Sequence, residues 1–402
     1  MKFDKVVWML DPRFDFLLPW FEAEYPVSRG DILFVGSYHS DTRRGLHTQT
    51  AGNMRDGYVT FLEPEDINKL YAETVDPSVK TLVIPFTGAY LPSNENMVSF
   101  ISTGELAARL NNKWQQYSFF VELQINTPRT WRVSGAKELK KMVEELLGKY
   151  GNLVLKKPEL SGGYQMAAVT SMGDFNSWCE EKTSEFLEST TLISEYIPHI
   201  QSFAGMGLVR RDGSVIWYGA TEQVLYHGLA YEGLIFPPFC THEEQERMRE
   251  MTCKVGDGLA RLGYFGYFNV DFIVGSRGVQ AVEINARFGF GTLLLACQSG
   301  ERFWKVIRGE EKPKHVLEKR LILGKFKGRE GQTYSGLTPL SDITHWYQSG
   351  EGEFRTFFCG MEKPETFEYG SFIGLFGRFL PLEAERDKVL AQFWDTCLKY
   401  YL

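Results

Sequence analysis

The apolar positions of this chain change period several times, and those changes divide it. In the first hundred residues short apolar runs alternate with stretches of helical spacing. Lys5 to Leu10, Asp31 to Val35, Tyr58 to Leu62 and Thr81 to Phe86 predict strands, and Pro64 to Glu73 predicts a helix. Strands separated by helices predict an open parallel α/β domain. Asn111 to Leu123 reads as a helix that ends before Asn126-Thr127-Pro128-Arg129-Thr130, and a strand-rich region follows from Leu153 to about Arg308. From about Lys312 the chain mixes strands with a final helix. There Val389, Leu390, Phe393, Trp394, Cys397, Leu398 and Tyr401 fall at helical spacing, which predicts a stripe packed on a core. No internal repeat or low-complexity linker marks a boundary.

One part of the strand-rich region carries chemistry. Phe268-Asn269-Val270-Asp271-Phe272-Ile273-Val274 is β-branched and aromatic, Val279 to Asn285 alternates, and Gly275-Ser276-Arg277-Gly278 lies between them, so a β-hairpin is predicted. Strand period two puts Glu283, Asn285 and Arg287 on one face. With a three-residue loop Ser276-Arg277-Gly278 and Gly278 in the left-handed position, 275 pairs with 279 and, by the same count, 271 with 283. Two opposed carboxylates with Cβ atoms about 4.5–5.5 Å apart can share a hard cation and resist ionising together without one. A solvated polar face explains any one of Asp271, Glu283, Asn285 and Arg287 but explains the four together poorly; the group suits Mg²⁺ and phosphate. Upstream, Asn152-Leu153-Val154-Leu155-Lys156-Lys157-Pro158 runs into Glu159-Leu160-Ser161-Gly162-Gly163-Tyr164. Small residues let backbone N–H groups approach phosphate oxygens, and a lysine adds a point charge. Adjacent strand residues point to opposite faces, so only one of Lys156 and Lys157 should line a cleft.

Composition narrows the class. With 402 residues, 43% hydrophobic and 14% aromatic, the chain can bury several cores, and two to four domains are expected. A formal charge of −7 with no basic run argues against a sequence-independent nucleic-acid surface. The six cysteines, at 179, 240, 253, 297, 359 and 397, lack C-x-x-C spacing, so neither a zinc site nor a disulfide framework is expected. The N-terminus lacks a signal-peptide apolar core, and no stretch approaches the roughly 18 apolar residues of a membrane span. Cytoplasmic placement without a membrane partner is the expectation.

These motifs resemble the ATP-grasp superfamily, in which a strand acid, a glycine-containing turn and E-x-N-x-R hold magnesium on the phosphates of ATP. Here Asp271 precedes Glu283-Ile284-Asn285-Ala286-Arg287 by the family spacing, 283 − 271 = 12, with Asp where many relatives have Glu. The resemblance covers roughly residues 1 to 305. It implies a mixed α/β and α+β chain with the ATP-grasp fold: an open parallel α/β pre-ATP-grasp domain over 1–110, one ATP-grasp subdomain over 111–195 and a second with the metal strands over 196–311. Residues 312–402 would form an α+β extension that can close over the acceptor site.

The resemblance also assigns roles. ATP is the implied cofactor with Mg²⁺, two ions being usual and Mn²⁺ able to substitute, on Asp271, Glu283 and Asn285. Lys113, opening a helix ahead of Asn126-Thr127-Pro128, matches the lysine that reaches the α-phosphate. Members with K-x-P before the loop favour Lys156 and members with K-P favour Lys157; the former is preferred here. Ser161, Gly162 and Gly163 would cover the γ-phosphate, although Tyr164 and Gln165 depart from the glycine-richer family loop. Thr191 to Pro198 resembles the linker whose main chain, at Glu195 and Tyr196, reads adenine, with Ile197 in apolar contact; His199 or Gln201 would then be near the ribose. The run 221–233 is either a mobile cover or an ordinary connection, and Gly289, Gly291 and Thr292 would start a helix near the phosphates. Arg287 is the implied catalytic group.

The implied activity is that of a stand-alone carboxylate-amine ligase of the amino-acid or peptide sort, with a small-molecule carboxylate and amine as partners and a homodimer allowed. Alternatives are a thiol or other nucleophile, or a nucleotide-binding scaffold without catalysis, against which the intact metal set argues. Tyr90, Arg129, Trp131 and Arg210 are candidate substrate contacts whose plainer reading is structural.

Overall fold

The structure is a computed structural model that describes residues 4–9, 12–25, 32–37, 59–62, 78–85, 97–99, 104–159, 166–226, 230–314, 318–327, 337–339, 342–350, 355–358 and 373–401. Strands β1 (Lys5–Met9), β2 (Ile32–Ser37), β3 (Val59–Leu62), β4 (Thr81–Pro85) and β5 (Met97–Ser99) form a parallel sheet in the order β3-β2-β1-β4-β5. The centre of that sheet is apolar, with Val6, Val7, Val83 and Ile84 fully buried, as continuous β-branched runs require when both faces are covered. The four strands expected from the sequence are present; the expected helix from Pro64 to Glu73 lies outside the described residues.

Helix α1 (Lys113–Glu122) is started by Asn112, whose side-chain oxygen accepts from the Trp114 and Gln115 amides. An antiparallel sheet follows, β6 (Thr130–Val133), β7 (Leu153–Lys156), β8 (Ala167–Val169) and β9 (Thr191–Glu195), in the order β6-β9-β7-β8. Helix α2 (Ala136–Tyr150) closes its back: Leu139, Val143 and Leu146 share a core with Leu153, Leu155 and Ile193. Leu153 and Leu155 enter that core, so strand alternation turns Val154 and Lys156 to the opposite face.

The largest element is a nine-stranded sheet built from β10 (His199–Val209), β11 (Val215–Tyr226), β12 (Ala230–Phe236), β13 (Gly266–Gly275), β14 (Gly278–Asn285), β15 (Lys319–Lys327), β16 (Leu337–Pro339), β17 (Arg355–Phe358) and β18 (Ile373–Pro381). The order is β14-β13-β10-β11-β12-β15-β18-β17-β16, so the strands after residue 312 continue the sheet that carries the metal motif. Helix α3 (His242–Arg261), started by a Thr241–Glu244 capping box, packs Met248, Val255 and Leu259 against Phe203, Phe268 and Phe272. Helix α4 (Phe290–Ser299) follows β14. On helix α5 (Arg386–Tyr401), Val389 and Phe393 are buried on Val224, Ile235, Ile322 and Phe376, the packing the apolar stripe predicts; the side chains of Cys397, Leu398 and Tyr401 lie outside the described residues.

Two local expectations need correction. The hairpin between β13 and β14 has a two-residue loop, Ser276-Arg277, because Gly275 pairs with Gly278, whose φ of +74° favours glycine. Pairing then runs 274 with 279, 273 with 280 and 272 with 281, and a bulge at Val282 restores the pairing of Asp271 with Glu283. The expected facing pair is therefore present, reached by a shorter loop and an added bulge. Second, the run from Thr221 is mostly paired strand: Leu225 opposes Tyr231 across β11 and β12, with 227–229 outside the described residues.

Candidate active site

A cavity of about 310 Å³ lies between the four-stranded sheet and the end of the nine-stranded sheet that carries β13 and β14. Lys113, Lys156, Glu195, Tyr196, Ile197, Asp271, Glu283, Asn285 and Arg287 line it, so residues from α1, β7, the segment after β9 and the hairpin converge. Ser161, Gly162 and Gly163 lie outside the described residues, as does Tyr90.

The charged group is tightly paired. The Lys113 ammonium donates to Glu283 Oε1 at 2.7 Å. Asp271 accepts from Asn269 Nδ2 at 2.8 Å and from Asn285 Nδ2 at 2.9 Å, and the Gln223 side chain adds a further hydrogen bond. Burial, and then the facing Glu283 charge, push the Asp271 carboxyl up to about 7 despite the Arg287 guanidinium. Burial would raise Glu283 as well, but the Lys113 ammonium and Arg287 hold it below the ordinary range. The pair thus divides one negative charge unevenly, as two opposed carboxylates in a half-enclosed site must.

The two candidate lysines separate. Lys156 lines the cavity, and burial, then the nearby Lys113 ammonium, lower it to about 8. Lys157, on the opposite face, is not among the cavity residues. Its ammonium donates to Phe186 O at 2.6 Å, Ser189 Oγ at 2.8 Å and Thr191 Oγ1 at 2.8 Å, and sits 4.1 Å from the centre of the Phe186 ring. Burial lowers it to about 8. Lys157 ties the short helix Ser184–Glu188 to β9, a packing role.

The linker from β9 is held by its main chain. The Glu195 and Tyr196 amides donate to Arg129 O at 2.9 Å and Asn152 O at 3.1 Å, and the Glu195 carboxylate accepts from Arg277 at 3.0 Å. Ile197 is 5% exposed and forms apolar wall with Val154, Met166 and Phe272. Arg129 meets the Tyr150 hydroxyl, Trp131 packs on Tyr150, Arg210 donates to Gly309 O, and Gln201 donates to Phe239 O at 2.5 Å. These contacts are structural.

Sequence reasoning missed Gln116. Its amide accepts from Ile284 N at 3.0 Å and donates to Ile284 O at 2.9 Å and Leu110 O at 2.6 Å. Ile284 stands between Glu283 and Asn285, so this side chain holds the acid-bearing strand against the helix that carries Lys113. A glutamine inside a helix gives no sequence signal of such a role. Asn269 was findable, since period two from Asp271 places it on the same face.

Comparison with known proteins agrees with this geometry. Residues 110–291 match the ATP-grasp domain family. Over 110 residues, 27% of this chain, the sequence is 36% identical to an L-propargylglycine–L-glutamate ligase of Streptantibioticus cattleyicolor, and over 189 residues, 46% of it, 23% identical to a [butirosin acyl-carrier protein]–L-glutamate ligase of Niallia circulans. The matched stretches span 22% and 45% of those two proteins, less than half of either. In fold, 99% of the chain superposes on 99% of the Aspergillus clavatus carboxyaminoimidazole ribonucleotide synthase complexed with ATP, with a TM-score of 0.67 at 12% identity. The biotin carboxylase domain of Hydrogenobacter thermophilus 2-oxoglutarate carboxylase, in complex with MgADP, gives 0.67 at 14% identity, covering 99% of this chain and 90% of that one. The cavity between two sheets, the paired acids on its hairpin and the family match together identify residues 110–291 as an ATP-grasp domain.

Proposed function

We propose that the protein is an ATP-dependent carboxylate-amine ligase that forms ADP and phosphate. The observation that carries the reading is the Asp271–Glu283 pair, bracketed by Lys113, Asn285 and Arg287 in one cavity wall. Asp271, Glu283 and Asn285 offer hard oxygen donors that fit Mg²⁺, and the Asp271 carboxyl, raised first by burial and then by the Glu283 charge, is a group that a cation would relieve. Among the described residues no three His, Cys, Asp or Glu side chains come together, which suits an ion completed by phosphate oxygens. When bound there, one or two Mg²⁺, or Mn²⁺ in their place, supply charge neutralisation at the β- and γ-phosphates.

The chain's own residues do the rest. Lys113 and Lys156 hold phosphate oxygens, and Lys156, held near 8 in the cavity wall by burial and Lys113, gains its proton fully beside phosphate. Ile197, Val154 and Met166 give the adenine an apolar slot, and the linker main chain at Glu195 and Tyr196 is fixed in place for its edge. Arg287 binds the substrate carboxylate, one oxygen of which attacks the γ-phosphorus as the bond to ADP breaks. An amine nitrogen then attacks the acyl carbon, the bond to phosphate breaks, and the amine loses a proton. Arg287 meets the tetrahedral oxyanion in that step. An ATP-consuming reaction of this kind fits a cytoplasmic protein.

The test measures ADP and phosphate release from MgATP across pooled amino acids and small carboxylic acids, L-glutamate included because both sequence relatives are named for it. Substrate-dependent ADP with a new condensed mass, lost in Glu283→Ala, is expected. AMP in place of ADP overturns the acyl-phosphate route; coenzyme A as the sole acceptor favours a thiol nucleophile; bound ATP without turnover in any pool favours a scaffold.

A further inference from the structure

The shape of the acid follows from a part of the cavity that the phosphate and cation groups leave aside. Gln223 hydrogen-bonds Asp271. Two residues further along β11, roughly 7 Å away at strand spacing, Leu225 lines the cavity opposite Tyr231 of β12. The Tyr231 ring meets Phe290 edge-on, with centroids 5.3 Å apart and planes at 71°. Phe290 is the first residue of α4, and Gly289 and Gly291 flank it on the cavity wall. A helix start presents N–H groups and partial positive charge, and Arg287 lines the same wall.

An independent observation points to a ligand here. Tyr267 is fully buried yet lines the cavity, and its hydroxyl makes no well-formed hydrogen bond. The Thr292 hydroxyl, which accepts from the Gly289 amide at 3.0 Å, is the polar group beside it and interacts with it weakly, short of full hydrogen-bond geometry. The phenol lies over the first turn of α4, so close that a Cβ on Gly291 would collide with it. A buried polar group left unsatisfied is costly unless a ligand meets it. The phenol thus meets the helix start, and the Arg287 guanidinium and the aromatic residues line the same cavity.

We propose that this compartment selects a carboxylic acid with an apolar body of aromatic size, its carboxylate held by Arg287, the first turn of α4 and the Tyr267 hydroxyl, its body against Leu225, Tyr231 and Phe290. This rests on the ligase reading and adds to it the class of acid. The counter-candidate is a dicarboxylate, for which Lys325, 6.0 Å from the centre of the Tyr231 ring, would be the second cation.

The full-length protein is tested with MgATP and hydroxylamine, which removes the need to know the amine: its nitrogen attacks the acyl phosphate, phosphate leaves and a hydroxamate forms. Phenylalanine and phenylpropionate are compared with glycine, succinate and L-glutamate. The aromatic acids should give the highest kcat/KM. Tyr231→Ala should cost them about tenfold and flatten the ranking, and Tyr267→Phe, which removes one oxygen, should raise KM for every acid about tenfold with KM for ATP unchanged. Hydroxamate formed best from succinate or glutamate, or an unchanged ranking in Tyr231→Ala, overturns the inference and leaves the ligase reading standing. No hydroxamate from any acid, with ATP still bound, overturns both.

Discussion

Replacing Asp271 by asparagine should make the metal-free protein more stable at neutral pH, and the size of the gain follows from the site. In the unfolded chain the carboxyl titrates near 3.8; in the folded protein burial and Glu283 hold it at about 7. Below pH 3.8 it is protonated in both states and costs nothing. Between 3.8 and 7 the unfolded chain has released a proton that the folded protein keeps, so stability falls as pH rises through this window and the cost levels off above it. A carboxyl raised from 3.8 to about 7 costs on the order of 4 kcal/mol at pH 8. At pH 5 only the part from 3.8 to 5 applies, on the order of 2 kcal/mol. The Asp271→Asn variant would lose one of the two amide hydrogen bonds from Asn269 and Asn285, about 1–3 kcal/mol. The net expectation is a gain of about 2 kcal/mol at pH 8 that vanishes near pH 5. Urea unfolding in EDTA, followed by tryptophan fluorescence at pH 5, 6.5 and 8, measures it. A variant no more stable than the parent at pH 8, or a gap that does not change with pH, would refute the reasoning. Adding Mg²⁺ and ADP should then stabilise the parent more than the variant, which has lost one of the three cation-holding side chains.

Other expectations follow from named contacts. Lys156→Met should weaken nucleotide binding by at least about tenfold in calorimetry with little change in stability, whereas Lys157→Met should do the reverse, since its hydrogen bonds run to Phe186, Ser189 and Thr191. Because the free Lys156 titrates near 8, apparent ATP affinity should fall about tenfold per pH unit above 8, and Lys156→Arg should abolish that slope. Gln116→Leu strands the N–H and C=O of Ile284 and should cost about 2–4 kcal/mol by urea titration. Arg386→Ala leaves the Glu222 carboxylate, 0% exposed, with the Phe239 amide but without its ion-pair partner, a loss of about 3 kcal/mol that Glu222→Gln in the same protein should partly restore.

How far the site was legible depended on the range of the interaction that made it. Asp271 and Glu283 could be paired from sequence because a hairpin is local, yet the register arises by a different path: the loop is one residue shorter, and Val282 bulges to make up the difference. Alternation alone could show that Lys156 and Lys157 diverge, but not which one faced the cleft, because that depends on Leu153 and Leu155 entering the core under α2. The strands after residue 312 looked like an appendage since their partner, β12, lies far earlier in the chain and nothing local announces the β12–β15 ladder. The stretch from Thr221 carried glycine and small residues that suit a cover as well as a strand, and the pairing of β11 with β12 decided between them.

The outermost position of β14 in its sheet has one more consequence. An end strand offers a row of backbone groups on which another chain can add itself, the usual start of aggregation. Here the row is occupied from within: Asn126 takes Ala281 N at 2.8 Å through its carbonyl and gives its side-chain amide to Val279 O at 3.0 Å, and Gln116 covers both groups of Ile284. Asn126, through its main-chain carbonyl and side-chain amide, and Gln116, through its side chain, thus act as a fixed selvedge along the strand that bears Glu283 and Asn285. A copy of the protein meeting that border finds four of its backbone groups already taken, so the strand that carries the site's chemistry is also guarded at those positions against being zipped into a neighbour.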